Sequence, residues 1–243
     1  MGVWSQRVGA AFLEWLAPPA QCAWLDVGCG NGAFTEMVLD GCAPTSVHGI
    51  DPSEAQLEFA RTRLGARGAV FQQADAMALP YDAAHFDVAV MPLVIFFVPE
   101  PARGVAEMTR VVRTGGQVAA YAWDMQSGGF PYEVVGQSLR AVGVEVPRPP
   151  SADASRFDVL TSLWDDAGLT DVDTRTIRVT RSYDSFDDYW TTVQGAPSAG
   201  RQIASLSSDQ RERFRQELRD RLTIDAEGRV QCAAHAHAIK GRR

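Results

Sequence analysis

The chain has 243 residues, a formal net charge of −7 and a hydrophobic fraction of 46%. That length suits one large α/β domain, or one domain with a cap, and that apolar fraction supports a packed core. The negative charge disfavours a nucleic-acid backbone as partner. The longest apolar run, residues 88–98, is broken by Pro92 and falls short of the about 20 residues that a membrane span needs.

Trp4, Val8, Phe12 and Trp15 recur at helical spacing until Pro18-Pro19 stops them. Strand and helix signals then alternate. Residues 23–27 read as a strand and 33–40 as a helix stopped by Gly41; 47–50 read as a short strand ending at Asp51. Ser53 and Gln56 have capping-box spacing before a helix whose apolar face is Leu57, Ala60 and Leu64. Residues 70–72 read as a strand, 86–91 as a buried strand, and Pro101 opens a helix carrying Val105, Met108 and Val112. Gly115-Gly116 turn the chain into a strand over 117–123. Beyond it, residues 124–155 hold Gly128-Gly129, Pro131, Pro147 and Pro149-Pro150, an irregular excursion with one helix around 134–142. Helices are expected over 157–167, 186–193 and 209–222, and strands over 171–180 and 228–239. No internal repeat is visible.

Alternating segments of this length predict an α/β fold, a doubly wound, mostly parallel sheet with helices on both faces. Ligands of such sheets sit beyond the carboxyl ends of the strands, so the loops after Val27, Ile50, Gln72 and Met91 converge on one edge. One domain over 1–243 is expected. Its core spans about 20–124, 157–182 and 228–243, and its cap excursions about 1–19, 125–156 and 183–227.

Cys22, Cys29, Cys42 and Cys232 show no paired spacing, which argues against a zinc site or disulfide framework. Free thiols and the absence of a basic-then-apolar leader at Met1 fit a cytoplasmic protein. Lys240 is the only lysine, so 22 of 23 basic residues are arginine. That bias fits a GC-rich bacterial genome and leaves almost no lysine for Schiff-base or hydride-transfer chemistry. The basic end, Lys240 to Arg243, reads as solvated.

The most informative stretch is Asp26-Val27-Gly28-Cys29-Gly30-Asn31-Gly32. Glycines between a strand and a helix let a ligand approach bare backbone. Two parses are open. Gly28-x-Gly30-x-x-Ala33, with Asp51 downstream, satisfies a dinucleotide fingerprint. Alternatively, Asp26 belongs to the motif, and its carboxylate favours a cationic or amino-bearing ligand over a pyrophosphate.

Residues 25–32 resemble the first motif of the class I S-adenosylmethionine-dependent methyltransferases. Four further stretches follow in order. Residues 49–53 resemble the second acidic strand end, 74–80 the adenine loop, 86–90 the fourth strand, and 107–116 the helix and turn before the fifth. The likeness covers about residues 20–124 and is nearest the small-molecule branch, which includes ubiquinone and menaquinone methylases. It implies a seven-stranded Rossmann-like sheet and S-adenosyl-L-methionine as cofactor, with S-adenosyl-L-homocysteine as product. It also implies a small-molecule acceptor methylated by in-line displacement. Asp26 would meet the cofactor's ammonium, and Gly28, Cys29, Gly30, Asn31 and Gly32 would give backbone to its methionine part. Asp51 and Pro52 would hold the ribose. Asp75, Ala76 and Met77 would read the adenine, and the Met91 carbonyl would lie beneath the sulfonium.

Other candidates stand outside the motifs. Trp123-Asp124 ends the fifth strand, and Asp124 is a candidate base. Phe130, Tyr132 and Trp190 are candidate walls of the acceptor pocket, or core of a lid. His235 and His237 share one strand face, but with no third ligand apparent, no metal is expected. The charged run from Asp209 to Arg221 reads as a solvated helix. Residues 91–94, Met-Pro-Leu-Val, lack the Asn/Asp-Pro-Pro-aromatic signature of amino-methylating relatives. A nucleic-acid partner and a membrane span are thus not expected, and the chain is taken as a monomer or homodimer. Two rival readings stay open: an NAD(P)-dependent oxidoreductase, and a non-catalytic S-adenosylmethionine-binding module.

Overall fold

In a computed structural model, the structure describes residues 2–243, less the side chains at 197 and 198. The first half runs α1 (Gly2–Leu16), β1 (Ala23–Val27), α2 (Ala33–Gly41), β2 (Ser46–Asp51), α3 (Glu54–Leu64), β3 (Ala69–Gln73), β4 (Phe86–Pro92), α4 (Pro101–Val111) and β5 (Val112–Trp123). The second half runs α5 (Glu133–Ala141), α6 (Phe157–Asp166), β6 (Thr170–Tyr183), α7 (Phe186–Gln194), α8 (Pro197–Ala204), α9 (Ser208–Arg221), β7 (Thr223–Ile224) and β8 (Val230–Arg242).

The sheet order is β3-β2-β1-β4-β5-β8-β6, with β7 paired to β8 off this path. The path itself has the seven strands the sequence implies; β7 is a two-residue addition. β1 to β5 pair in parallel, and β8 runs antiparallel to both neighbours. From β1 the chain builds outward through β2 and β3, then returns to lay β4 on the other side of β1. That reversal between β1 and β4 opens a crevice at the carboxyl ends of the central strands, where doubly wound sheets bind ligands.

Burial explains why these segments are strands. β1 and β4 lie inside the sheet, and their apolar runs need no alternation because helices cover both faces. β6, at the edge, alternates exposed and buried positions along its second half. The main core joins α1 to the sheet: Trp4, Val8, Phe12 and Leu16 are buried against it, and the Phe12 ring lies 4.6 Å from that of Tyr121. A second core gathers Val135, Leu139, Phe186, Tyr189, Phe214 and Leu218 from the helices after β5, with Tyr183 from the end of β6.

Several local details differ from the sequence reading. Val112, expected on the helix, opens β5, and Gly115-Gly116 lie inside that strand. The basic end, expected to be solvated, runs through β8, where Lys240 donates to Trp15 O at 2.9 Å. Ser53 sits at the N-cap of α3 but makes no side-chain cap bond; its own backbone N–H instead donates to Asp51 Oδ1 at 2.8 Å. The capping box lies at α9, between Ser207 and Gln210. The helix α8 was not anticipated. It starts at Pro197, a favoured first helical residue, inside a stretch too short and too small-residue-rich to show apolar periodicity.

Candidate cofactor crevice and acceptor cleft

At the end of β1 the chain turns through Gly28, Gly30 and Gly32, with φ of 77°, 53° and 80°. These left-handed angles suit glycine. The turn is anchored to β2, since the N–H groups of Gly28 and Cys29 both donate to Ile50 O, at 2.8 and 2.9 Å. Surroundings distinguish the glycines. A Cβ on Gly32 would lie 2.8 Å from Leu64 Cδ1, so that glycine lets α3 pack. A Cβ on Gly28 would meet Val94 at 2.5 Å, whereas on Gly30 it would find nothing nearer than Gln56 at 4.0 Å. The side-chain position of Gly30 therefore faces open space.

Asp26 lies under this turn, 1% exposed. Its Oδ2 accepts from the Thr35 hydroxyl of α2 at 2.7 Å, while among the described residues Oδ1 has no partner. Burial pushes the carboxyl up to about 7; the Thr35 bond opposes this and the nearby Asp51 charge adds to it. A buried carboxylate oxygen without a donor is costly unless a ligand supplies one.

Asp51 ties two loops together. Its Oδ2 accepts from Gly30 N at 2.9 Å and its Oδ1 from Ser53 N. A carboxylate has about four lone-pair sites, so each oxygen keeps capacity for a ligand hydroxyl. Pro52 is exposed beside it, and its carbonyl accepts from Gln73 Nε2 at 2.8 Å. Asp75, exposed after β3, folds its own loop by accepting from Met77 N at 2.8 Å; Ala76 and Met77 are half-buried there. Cys29 is buried and Asn31 exposed, with the Asn31 carbonyl taken by Arg63.

One brace of this edge was missed in the sequence. Glu107 Oε2 accepts from Leu79 N at 2.8 Å, and Arg110 donates to the carbonyls of Tyr81 and Leu79. The two side chains pair with each other at 2.7 Å, which holds the Glu107 carboxyl below its usual range. Thus α4 fixes the loop after β3. Their i, i+3 spacing on a helix was the visible signal.

Met91, near the end of β4, is fully buried. Just past it, Leu93 has φ of 61° and donates its N–H to Tyr121 O at 2.7 Å. The chain then lays Phe96 and Phe97 along a cleft of ≈ 1140 Å³. Phe130, Tyr132, Leu139, Val146 and Arg148 line it as well. Of the aromatic candidates, Phe130 and Tyr132 thus reach the cleft. Trp123 does not: it is wholly buried in the sheet core. Trp190 lies apart too, packing against Phe214 at 5.7 Å and under Arg215 at 5.8 Å. The arginines of α9 therefore lie partly over α7 rings instead of reaching only into solvent.

Asp124 is 3% exposed and its oxygens are engaged. Oδ1 accepts from Gln126 N and Ser127 N, at 2.9 and 3.0 Å, and Oδ2 faces His235 Nε2 at 3.0 Å. Burial raises its carboxyl, but these two amides, His235 and His237 outweigh it, and the net shift is downward. That makes it a weak base. His237 Nε2 lies 3.9 Å from the same Oδ2. Both histidines do share a face, and the fold supplies the third donor that the sequence could not show.

Sheet order, glycine turn and acidic strand ends together define a Rossmann-like methyltransferase fold. Residues 25–120 match the family described as methyltransferase domain. The ubiquinone biosynthesis O-methyltransferase of Thiobacillus denitrificans is 37% identical over 51% of this chain and 55% of its own length. A demethylmenaquinone methyltransferase of Roseiflexus castenholzii is 32% identical over 42% of this chain and 43% of its own. The chain thus matches about half the length of these curated relatives. The YcgJ protein of Bacillus subtilis superposes with a TM-score of 0.65 at 17% identity, covering 98% of each chain. Phosphoethanolamine N-methyltransferase 2 of Haemonchus contortus, solved with S-adenosyl-L-methionine, gives 0.60 at 14% identity, covering 100% of this chain and 53% of its own. Among the described residues, no helix is long and apolar enough to cross a membrane.

Proposed function

We propose that this chain is a methyltransferase that moves a methyl group from S-adenosyl-L-methionine to a small, partly apolar acceptor. The observation that carries this reading is Asp26, a buried carboxylate with one unpartnered oxygen under a glycine turn that is open at Gly30. A cationic amino group satisfies that oxygen, whereas a pyrophosphate would be repelled by it. This disfavours the oxidoreductase reading.

When bound, the cofactor supplies the electrophilic methyl on its sulfonium. The chain's residues bind and orient. Asp26 holds the ammonium, and Gly28 to Gly32 give backbone to the methionine part. Asp51 with Pro52 holds the ribose hydroxyls, and the loop from Asp75 to Met77 lies on the adenine. Met91 marks the strand end nearest the methyl. The acceptor occupies the cleft between Phe97, Phe130 and Tyr132, where apolar walls and the helices after β5 exclude water and align it for in-line attack. Asp124, held low and already hydrogen-bonded, is not the base in this reading. The segments 125–156 and 183–227 act as the cap, while 1–19, also expected there, packs through α1 into the main core. Free thiols suit the cytoplasm, the arginine bias a bacterial source, and the charge of −7 argues against nucleic acid. We take the active species as a monomer or homodimer.

Calorimetry with S-adenosyl-L-homocysteine, NAD and NADP tests the cofactor. Binding of the first alone is expected; binding of only a dinucleotide overturns the reading. A tritium-methyl transfer assay over quinol, phenol and carboxylate acceptors then separates an enzyme from a non-catalytic binding module, which would bind cofactor yet transfer nothing.

A further inference from the structure

We propose that Asp124, His235 and His237 form a binding site for a divalent transition-metal ion of the zinc type. One donor atom from each lies within 4.8 Å of the others. Asp124 Oδ2 stands 3.0 Å from His235 Nε2 and 3.9 Å from His237 Nε2. Tetrahedral zinc with bonds of about 2.0–2.1 Å needs its ligand atoms about 3.3 Å apart, so the observed separations bracket the requirement. Small ring rotations would close the difference.

The orientation of the donors makes the case beyond proximity. His237 Nδ1 lies 2.8 Å from the Ser155 carbonyl, which can only accept, so Nδ1 carries the proton. Nε2 is then the ring nitrogen left to ligate, and it faces Asp124 Oδ2 at 3.9 Å. A backbone carbonyl on the far nitrogen is the arrangement that fixes a metal-ligating histidine. The ring is held further by stacking on Phe157 at 3.9 Å between centroids and 24° between planes. The carboxylate is set in the same way, because Gln126 N and Ser127 N occupy Oδ1 and leave Oδ2 to the histidines.

The backbone fixes the third ligand. β5 and β8 pair antiparallel, with Trp123 opposite Ala236 and Asp124 N donating to His235 O at 3.2 Å. No room is left for a side chain at Gly129, where a Cβ would lie 2.7 Å from Asp124 Cβ and 3.0 Å from His235 Cδ2. All three residues are at least half-buried. Three protein ligands leave a fourth position open. The site also adjoins the cleft, since Met125 and Gln126, which follow Asp124, line it.

The test is cobalt(II) and zinc titration of the full chain, freed of any affinity tag and stripped with chelator. One equivalent of cobalt is expected, with the visible absorption of a low-coordinate site, displaced by zinc. His235→Ala, His237→Ala and Asp124→Asn should each weaken uptake at least tenfold, while His85→Ala, exposed in the loop before β4, leaves it unchanged. His237→Gln keeps a donor for Ser155, and circular dichroism on all variants checks the fold. No stoichiometric uptake, or uptake indifferent to both histidine substitutions and to His237→Gln, overturns the proposal. Metal uptake is measured without cofactor or acceptor, so its failure and that of the methyl-transfer reading are separate results.

Discussion

Asp26 is the residue whose chemistry is most constrained. It is buried, half-satisfied, and its carboxyl is pushed up to about 7 from an ordinary 3.8 by burial. The native state therefore holds a proton that the unfolded chain releases across that interval. Its contribution to stability is full below the ordinary carboxylate range and is lost as pH rises through about 7. Asp26→Asn, which needs no proton to stay neutral, should make the apoprotein more stable than wild type at pH 8 by on the order of 2 kcal/mol. At pH 4 the two should be alike. Urea unfolding at both pH values measures this. The same change should weaken S-adenosyl-L-homocysteine by roughly 10- to 100-fold, since a charge-assisted bond contributes about 1.5–3 kcal/mol. Wild-type affinity should fall as pH drops below about 7, whereas the variant's should stay flat. Asp26 and Asp51 were legible in the sequence because an acid at a strand end beside glycines is a local pattern. The partners of Asp124 were not, since His235 is 111 positions away and only strand pairing brings them together.

At the scale of the element, the β1–α2 turn uses similar glycines for different ends. Gly32 makes room for Leu64 and Ala60 of α3, and Gly30 keeps its side-chain position open. Both have positive φ, so alanine costs roughly 1–2 kcal/mol of backbone strain at either. At Gly32 the clash adds roughly 1–3 kcal/mol of overpacking. Gly32→Ala should therefore lower the melting temperature clearly more than Gly30→Ala. Gly30→Ala should instead lose most S-adenosyl-L-homocysteine affinity while remaining folded. Thermal unfolding and calorimetry on the pair separate the roles, and equal melting temperatures would count against this division. The sequence showed three glycines but not which neighbour each faced. For the same reason the capping-box spacing at Ser53 misled. The pattern at Ser207 and Gln210 is realised because nothing competes for it, whereas Asp51 already takes the Ser53 amide.

Across the whole molecule, among the described residues, two large cores divide the work, with a smaller cluster of Leu57, Ala60, Leu64 and Phe71 under α3. The sheet and α1 share one; α5, α7 and α9 build the other. Tyr132 and Cys232 pack on both, and Tyr132 also lines the cleft, so the proposed acceptor cleft lies where the two meet. The alternation of strands and helices up to Trp123 made the sheet readable. The second core was harder to read, because α5 and α7 are short, α9 is arginine-rich, and proline-broken excursions join them. Its apolar contacts, such as Phe214 with Trp190, link helices whose order in space no local period encodes. We expect this second core to open without the sheet. Phe214 is fully buried there, and Phe214→Ala should cost about 3–5 kcal/mol. If the second core is a separate cooperative unit, amide exchange should accelerate in α5, α7 and α9 while β1, β2 and β4 stay protected. Cofactor affinity should then change little, because none of Asp26, Asp51 and Asp75 packs in that core. Methyl transfer should fall, because Val135 and Leu139 belong to that core and also line the cleft. Loss of protection in the central strands together with the cap would instead mean that both cores unfold as one, and that cofactor and acceptor sites cannot be uncoupled by loosening the cap.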